Sequence, residues 1–133
     1  MSTKLEWKAY PAGENGFFRA PVLVWKQDRA VLIDGGFTIS DGKAVADDIK
    51  AMGKNLETIL ITQSDPDYYF SLEPINQAFP DAKVLAAPDT LAAIRASVDK
   101  KLATWGPQLG ANGPKQVVFP EAFEGKSLDV GGE

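Results

Sequence analysis

The spacing of apolar and polar positions changes period several times along the chain, and each change marks an element. Lys4–Tyr10 alternates loosely and predicts a short strand, followed by a turn at Pro11-Ala12-Gly13-Glu14-Asn15-Gly16. Phe17–Trp25 and Arg29–Ile33 are rich in Val, Leu, Ile and aromatics and predict two stronger strands, closed into a hairpin by Lys26-Gln27-Asp28. Asp34-Gly35-Gly36 ends the second strand, and its glycines read as a turn that needs positive φ. From Asp41 to Met52 the period becomes helical, with Val45, Ile49 and Met52 on one side and Asp47, Asp48 and Lys50 on the other. Ser40 is the expected N-cap of this helix and Gly53 its terminator. Leu56–Thr62 is almost continuously apolar, the pattern of a strand covered on both faces.

After the polar loop Gln63–Phe70, a short helix is predicted over Leu72–Phe79, with Ser71 as cap and Pro74 tolerated in its first turn. Lys83–Ala87 predicts a strand. Asp89 is then expected to cap a helix through Leu102, with Leu91, Ile94, Val98 and Leu102 on one face, and Trp105-Gly106-Pro107 to stop it. A loop rich in Gly, Pro and Asn leads to a strand over Gln116–Phe119, and Ser127–Val130 starts another. A hairpin followed by alternating helices and strands is the signature of an α/β fold, a mixed sheet with helices packed on it. Ligand sites in such folds form in the loops at the carboxyl ends of strands, which singles out the loops starting at Asp34 and Gln63.

The length of 133 residues suits a single domain over 1–133, and apolar content of 44% is that of a globular chain. The chain has no cysteine and no histidine. Disulfides, thiolate sites and imidazole ligands or bases are therefore excluded, and a metal held by this chain alone must sit on oxygens or amides. The net charge is −4 and the Lys and Arg residues are scattered, which argues against nucleic acid as a partner. No apolar run approaches membrane length and the first residues lack a secretory pattern, so a cytoplasmic, non-membrane protein is expected. The aromatics Trp7, Phe17, Phe18, Trp25, Trp105 and Phe119 are expected in core or interface packing.

Gln63-Ser64-Asp65-Pro66-Asp67-Tyr68 follows directly on a buried strand. In an extended loop Gln63, Asp65 and Asp67 point the same way, and Pro66 biases Asp65 toward extended geometry. Carboxylates held close need a proton or cation between them, and an all-oxygen set suits Mg, Ca or Mn better than zinc. The plainer reading is that Asp-Pro-Asp turns into the next helix while Tyr68, Tyr69 and Phe70 enter the core.

The run Val31-Leu32-Ile33-Asp34-Gly35-Gly36, a capped helix, Thr58-Ile59-Leu60-Ile61-Thr62, this loop and then Phe70-Ser71-Leu72-Glu73-Pro74-Ile75 resembles the metallo-β-lactamase superfamily from about Phe17 to Val130. Members carry a strand ending in Asp-x-Gly and another ending in Thr-His-x-His-x-Asp-His before a Gly-Leu helix start. The resemblance places Gln63 and Asp65 at the first two histidines and Tyr68 at the last. It places Asp67 at the aspartate that ligates metal and orients the attacking water, and Ser71 at the glycine. Asp34 matches the strand-end aspartate that supports the site from behind its ligands.

The resemblance implies the N-terminal half of an αββα sandwich, a hydrolase fold that has lost most of its metal ligands. Candidate residues are then Asp67 as the catalytic group, Asp65, Asp67 and Gln63 as metal donors, and Asp34 and Tyr68 as their supports. The remaining ligands, a histidine in a Gly-His-Thr context, an aspartate and a last histidine, are expected beyond Glu133. Three functions follow: a non-hydrolytic scaffold, a metallohydrolase with an Asp-rich site completed by a second chain, or a binder of a small molecule without turnover. No cofactor is expected for the chain alone, and a divalent Zn, Mn or Fe only where a partner completes the site. One sheet face is left to cover, so the expected partner is a second copy of the chain or a complementary C-terminal half.

Overall fold

A computed structural model describes residues 4–133. Its frame is a six-stranded sheet in sequential order, with β1 at Glu6–Ala9, β2 at Val22–Lys26, β3 at Arg29–Ile33, β4 at Asn55–Ile61, β5 at Lys83–Ala86 and β6 at Glu121–Ala122. The first three strands run antiparallel to their neighbours, and β3, β4, β5 and β6 run parallel. Helices α1 (Ile39–Ala51), α2 (Leu72–Ala78) and α3 (Pro88–Leu109) make the crossovers between the parallel strands.

Alternation along the strands decides which face receives the helices. Leu23, Leu32, Ile59, Ile61, Val84 and Ala86 share one core with Val45 and Ile49 of α1, Leu72 and Ile75 of α2, and Ile94 and Val98 of α3. Their neighbours face the other way and line up across the sheet: Trp7 opposite Val24, then Val31, then Thr58. A second row runs Ala9, Val22, Ile33, Leu60, Leu85. Among the described residues, no helix lies across this second face, and α3 reaches only its rim at Thr90. The segment after β6 crosses it instead, burying Val130 and ending at an ion pair of 3.0 Å between Glu133 and Lys26 of β2. Between segment and sheet lies a cavity of about 460 Å³, lined chiefly by Val24, Val31, Ile33, Leu60, Phe123 and Leu128.

Several boundaries differ from those the pattern predicts. Strand β2 starts at Val22 rather than Phe17, because Phe17 (φ 54°) and Phe18 (φ 56°) are left-handed and cannot continue a strand. Helix α1 is capped by Thr38, whose hydroxyl accepts the Asp41 N–H at 3.1 Å, and not by Ser40. Helix α3 begins at Pro88, with Asp89 in its first turn, and runs through Trp105-Gly106-Pro107 to Leu109. The proline sits near the helix end, where few bonds remain to be lost, while Trp105 and Leu109 pack on the core. Gln116–Phe119 forms no strand: Val117 and Val118 pack on the core as irregular chain, and pairing begins only after Pro120. Ser127–Val130 is likewise no strand but part of the segment over the open face. Trp7 and Phe18 are 70% and 71% exposed, so neither is core in this chain.

Candidate functional site

The loops after β3 and β4 meet at the carboxyl ends of two parallel strands, and the backbone locks them together. Asp34 N–H donates to Leu60 O at 2.8 Å, Gly35 N–H to Tyr68 O at 2.8 Å and Ser71 N–H to Gly36 O at 3.2 Å. Asp34 itself is left-handed at φ 66°, and Gly36 has φ 98°. A side chain on Gly35 would come within 2.6 Å of Leu72, so this turn also needs a bare backbone where it passes under α2. Ser71, at the start of α2, spends its hydroxyl on Gly35 O instead of capping the helix.

Asp34 is half-buried and turns its carboxylate back on β4, accepting Thr62 N–H at 2.8 Å and the Thr62 hydroxyl at 2.8 and 3.0 Å. Burial holds its pKa above the usual carboxylate value; the Thr62 bonds oppose that shift and the charge of Asp67 adds to it. Asp34 thus ties the loop after β3 to the end of β4 through Thr62.

Asp65 is extended, but Pro66–Tyr68 forms a 3-10 turn, so the loop does not keep the two-residue alternation of an extended chain. The two carboxylates make separate ion pairs. Asp67 is buried and accepts a hydrogen bond from Nε of Arg19. Asp65 is exposed, 3.9 Å from Nζ of Lys101 on α3. Gln63 is exposed and makes no side-chain bond among the described residues. Tyr68 is half-buried with its ring under the Arg19 guanidinium, 4.9 Å from ring centre to Cζ. Tyr69 and Phe70 enter the core, as the plainer reading of the loop predicts, whereas Tyr68 does not.

Arg19 is the residue that sequence reasoning misses. It follows the left-handed pair Phe17-Phe18, a conformation that costs about 1–3 kcal/mol per residue and is repaid by packing and bonds around it. Phe17 lies 5.1 Å from Phe37 and 5.4 Å from Trp105, and Arg19 N–H donates to Gly16 O at 3.2 Å. The bond and charge of Asp67 raise the pKa of Arg19 above even its usual high value.

A family model described as the metallo-beta-lactamase superfamily matches residues 15–132, and the chain belongs to that superfamily. Solved structures agree on the fold. BLEG-1, a B3 metallo-beta-lactamase, superposes with TM-score 0.65 at 17% identity, over 96% of this chain and 57% of its own. MEM-A1, a subclass B3 enzyme from a soil metagenome library, gives 0.59 at 21%, over 84% of this chain and 42% of its own. FIM-1 from Pseudomonas aeruginosa, solved in a mono-zinc form, gives 0.52 at 13%, over 71% and 42%. The chain thus spans about half the length of these relatives. No curated protein sequence matches it.

The site does not fit a zinc ion. Zinc centres use at least three good protein donors, and among the described residues no three His, Cys, Asp or Glu side chains gather where a metal could sit. The donors that the motif does offer are an exposed amide and two carboxylates turned to separate cations.

Proposed function

We propose that the chain is a metallo-β-lactamase-fold module without hydrolytic turnover of its own, acting as an assembly unit. The separate ion pairs of Asp65 and Asp67 carry this reading. A hydrolytic centre must hold an activated water between convergent donors, and here each carboxylate faces a different basic side chain on a different element. With Zn2+, Mn2+ or Fe2+ supplied, the purified chain is expected to turn over no β-lactam, lactone or ester above the buffer rate. Metal-dependent turnover that disappears in Asp67→Asn would overturn the reading.

The second sheet face supports the assembly role. Trp7, Val22, Val24, Ile33, Leu60 and Leu85 lie side by side on it; the segment after β6 covers it in part, the aliphatic residues stay half-buried and Trp7 is 70% exposed. Exposed apolar area of this kind commonly marks a protein contact. The partner we propose is a second copy of the chain, or a complementary sheet carried by another chain.

A further inference from the structure

The loop after β4 keeps a buried aspartate, among the described residues no set of acidic, His or Cys side chains forms a metal site, and the structure shows what compensates that charge. Arg19 Nε donates to Asp67, whose side chain is 10% exposed against 43% for the arginine. The guanidinium lies over the Tyr68 ring, with Cζ 4.9 Å from the ring centre, a cation–π contact that arginine makes more often than lysine. The backbone that delivers it is fixed on both sides, since Arg19 O also accepts Ala12 N–H at 2.8 Å. Two successive left-handed phenylalanines mark this delivery as strained, and strain persists where the surroundings over-determine a position. On the far side, Gly35 N–H holds Tyr68 O, so Tyr68 is anchored from behind while Arg19 covers it in front.

We propose that Arg19 is the chain's built-in replacement for a metal ion: its guanidinium is the permanent counter-cation of Asp67 and clamps the loop after β4 to the loop before β2. A divalent cation entering here would have to displace a hydrogen-bonded guanidinium that also lies over the Tyr68 ring, and then find donors the loop does not supply. Asp65, by contrast, is exposed and has only Lys101 at 3.9 Å, without a hydrogen bond between them. The proposal deepens the non-hydrolytic reading above and rests on it for the idleness of Asp67 in catalysis.

Thermal melts of the full chain test it, with Arg19→Ala, Arg19→Lys, Asp67→Asn and the Arg19→Ala/Asp67→Asn double variant, each checked for native far-ultraviolet circular dichroism. Each single variant is expected to melt lower than wild type, with Arg19→Lys between wild type and Arg19→Ala. The double variant is expected to melt no lower than the worse single one, because removing one partner strands the other while removing both does not. The wild-type melt is expected to ignore both EDTA and added Zn2+ or Mn2+. If Arg19→Ala does not fold, Arg19→Lys paired with Asp67→Asn carries the same cycle. Additive losses, an Arg19→Ala melt equal to wild type, a lysine variant no better than alanine, or a saturable rise of the wild-type melt with metal would overturn the clamp. Turnover by a chain that still shows the coupling would sink the non-hydrolytic reading alone; additive losses in an inert chain would sink only the clamp.

Discussion

Asp34 and Asp48 should respond to acid in opposite directions, because their surroundings favour opposite protonation states. Lys8 at 2.8 Å and the Tyr10 hydroxyl at 2.7 Å both donate to Asp48 and hold its pKa below the usual value. Its contribution is full above the ordinary carboxylate pKa and is lost as pH falls through the folded one. Asp34 is held high by burial, so its contribution is present at low pH and is lost as pH rises through its folded pKa. Melts from acid to neutral pH should therefore show Asp48→Asn removing stability on the neutral side, and Asp34→Asn gaining on wild type there; the same sign in both would contradict these environments. Both effects should be small, since neither group is fully shielded from solvent. At Tyr69 the ring is fully buried and its hydroxyl has no partner among the described residues, and burial pushes its pKa up to about 12. Tyr69→Phe is expected to stabilise by about 1 kcal/mol in urea denaturation, since an unsatisfied buried hydroxyl costs at least that much; a loss would mean the hydroxyl is bonded in solution. Asp34 and Asp67 stand out in sequence through the family resemblance, and Tyr69 and Phe70 enter the core as the plainer reading of their loop expects. Arg19 was not legible there, because its bond to Asp67 spans 48 residues and leaves no periodic trace.

Among the elements, α1 and α2 pack closely, and Gly42 permits it. A methyl group there would lie 2.1 Å from Ser71 O and 3.0 Å from Pro74 Cγ. Gly42→Ala, although favourable for an isolated helix, should destabilise by about 1–3 kcal/mol through forced separation; an unchanged denaturation midpoint would contradict the observed packing. Elements with a clear period were read correctly to within a residue or two: β3, α1, β4, α2 and β5. The misreadings share one cause, tertiary contact overriding local chemistry. Trp105 and Leu109 find core partners, so α3 runs past Gly106-Pro107, and the aromatic packing of Phe17 holds left-handed backbone where its composition suggests strand. Val117 and Val118 have strand-like chemistry but reach the core without pairing, and only Glu121–Ala122 reaches the edge of β5.

At the scale of the molecule, helices cover one face of the sheet, and among the described residues the segment ending at Glu133 crosses the other. If that face pairs as proposed, light scattering behind size exclusion should give a dimer for the chain alone, and Trp7→Lys with Val24→Glu should convert it to a folded monomer. A wild-type chain that is monomeric and well folded at high concentration would contradict self-pairing and leave a complementary chain as the partner. The family resemblance was legible from the frame of strands and turns even though the histidines are absent, since the spacing of Asp34, the buried strand and Asp67 survives without them. That this loop holds no metal of its own, as proposed, is tested most directly by the metal content of chelator-free protein. The account predicts Zn, Mn and Fe well below one equivalent, with no difference between wild type and Asp67→Asn. One equivalent of bound metal, lost in Asp65→Ala or Asp67→Ala, would contradict it.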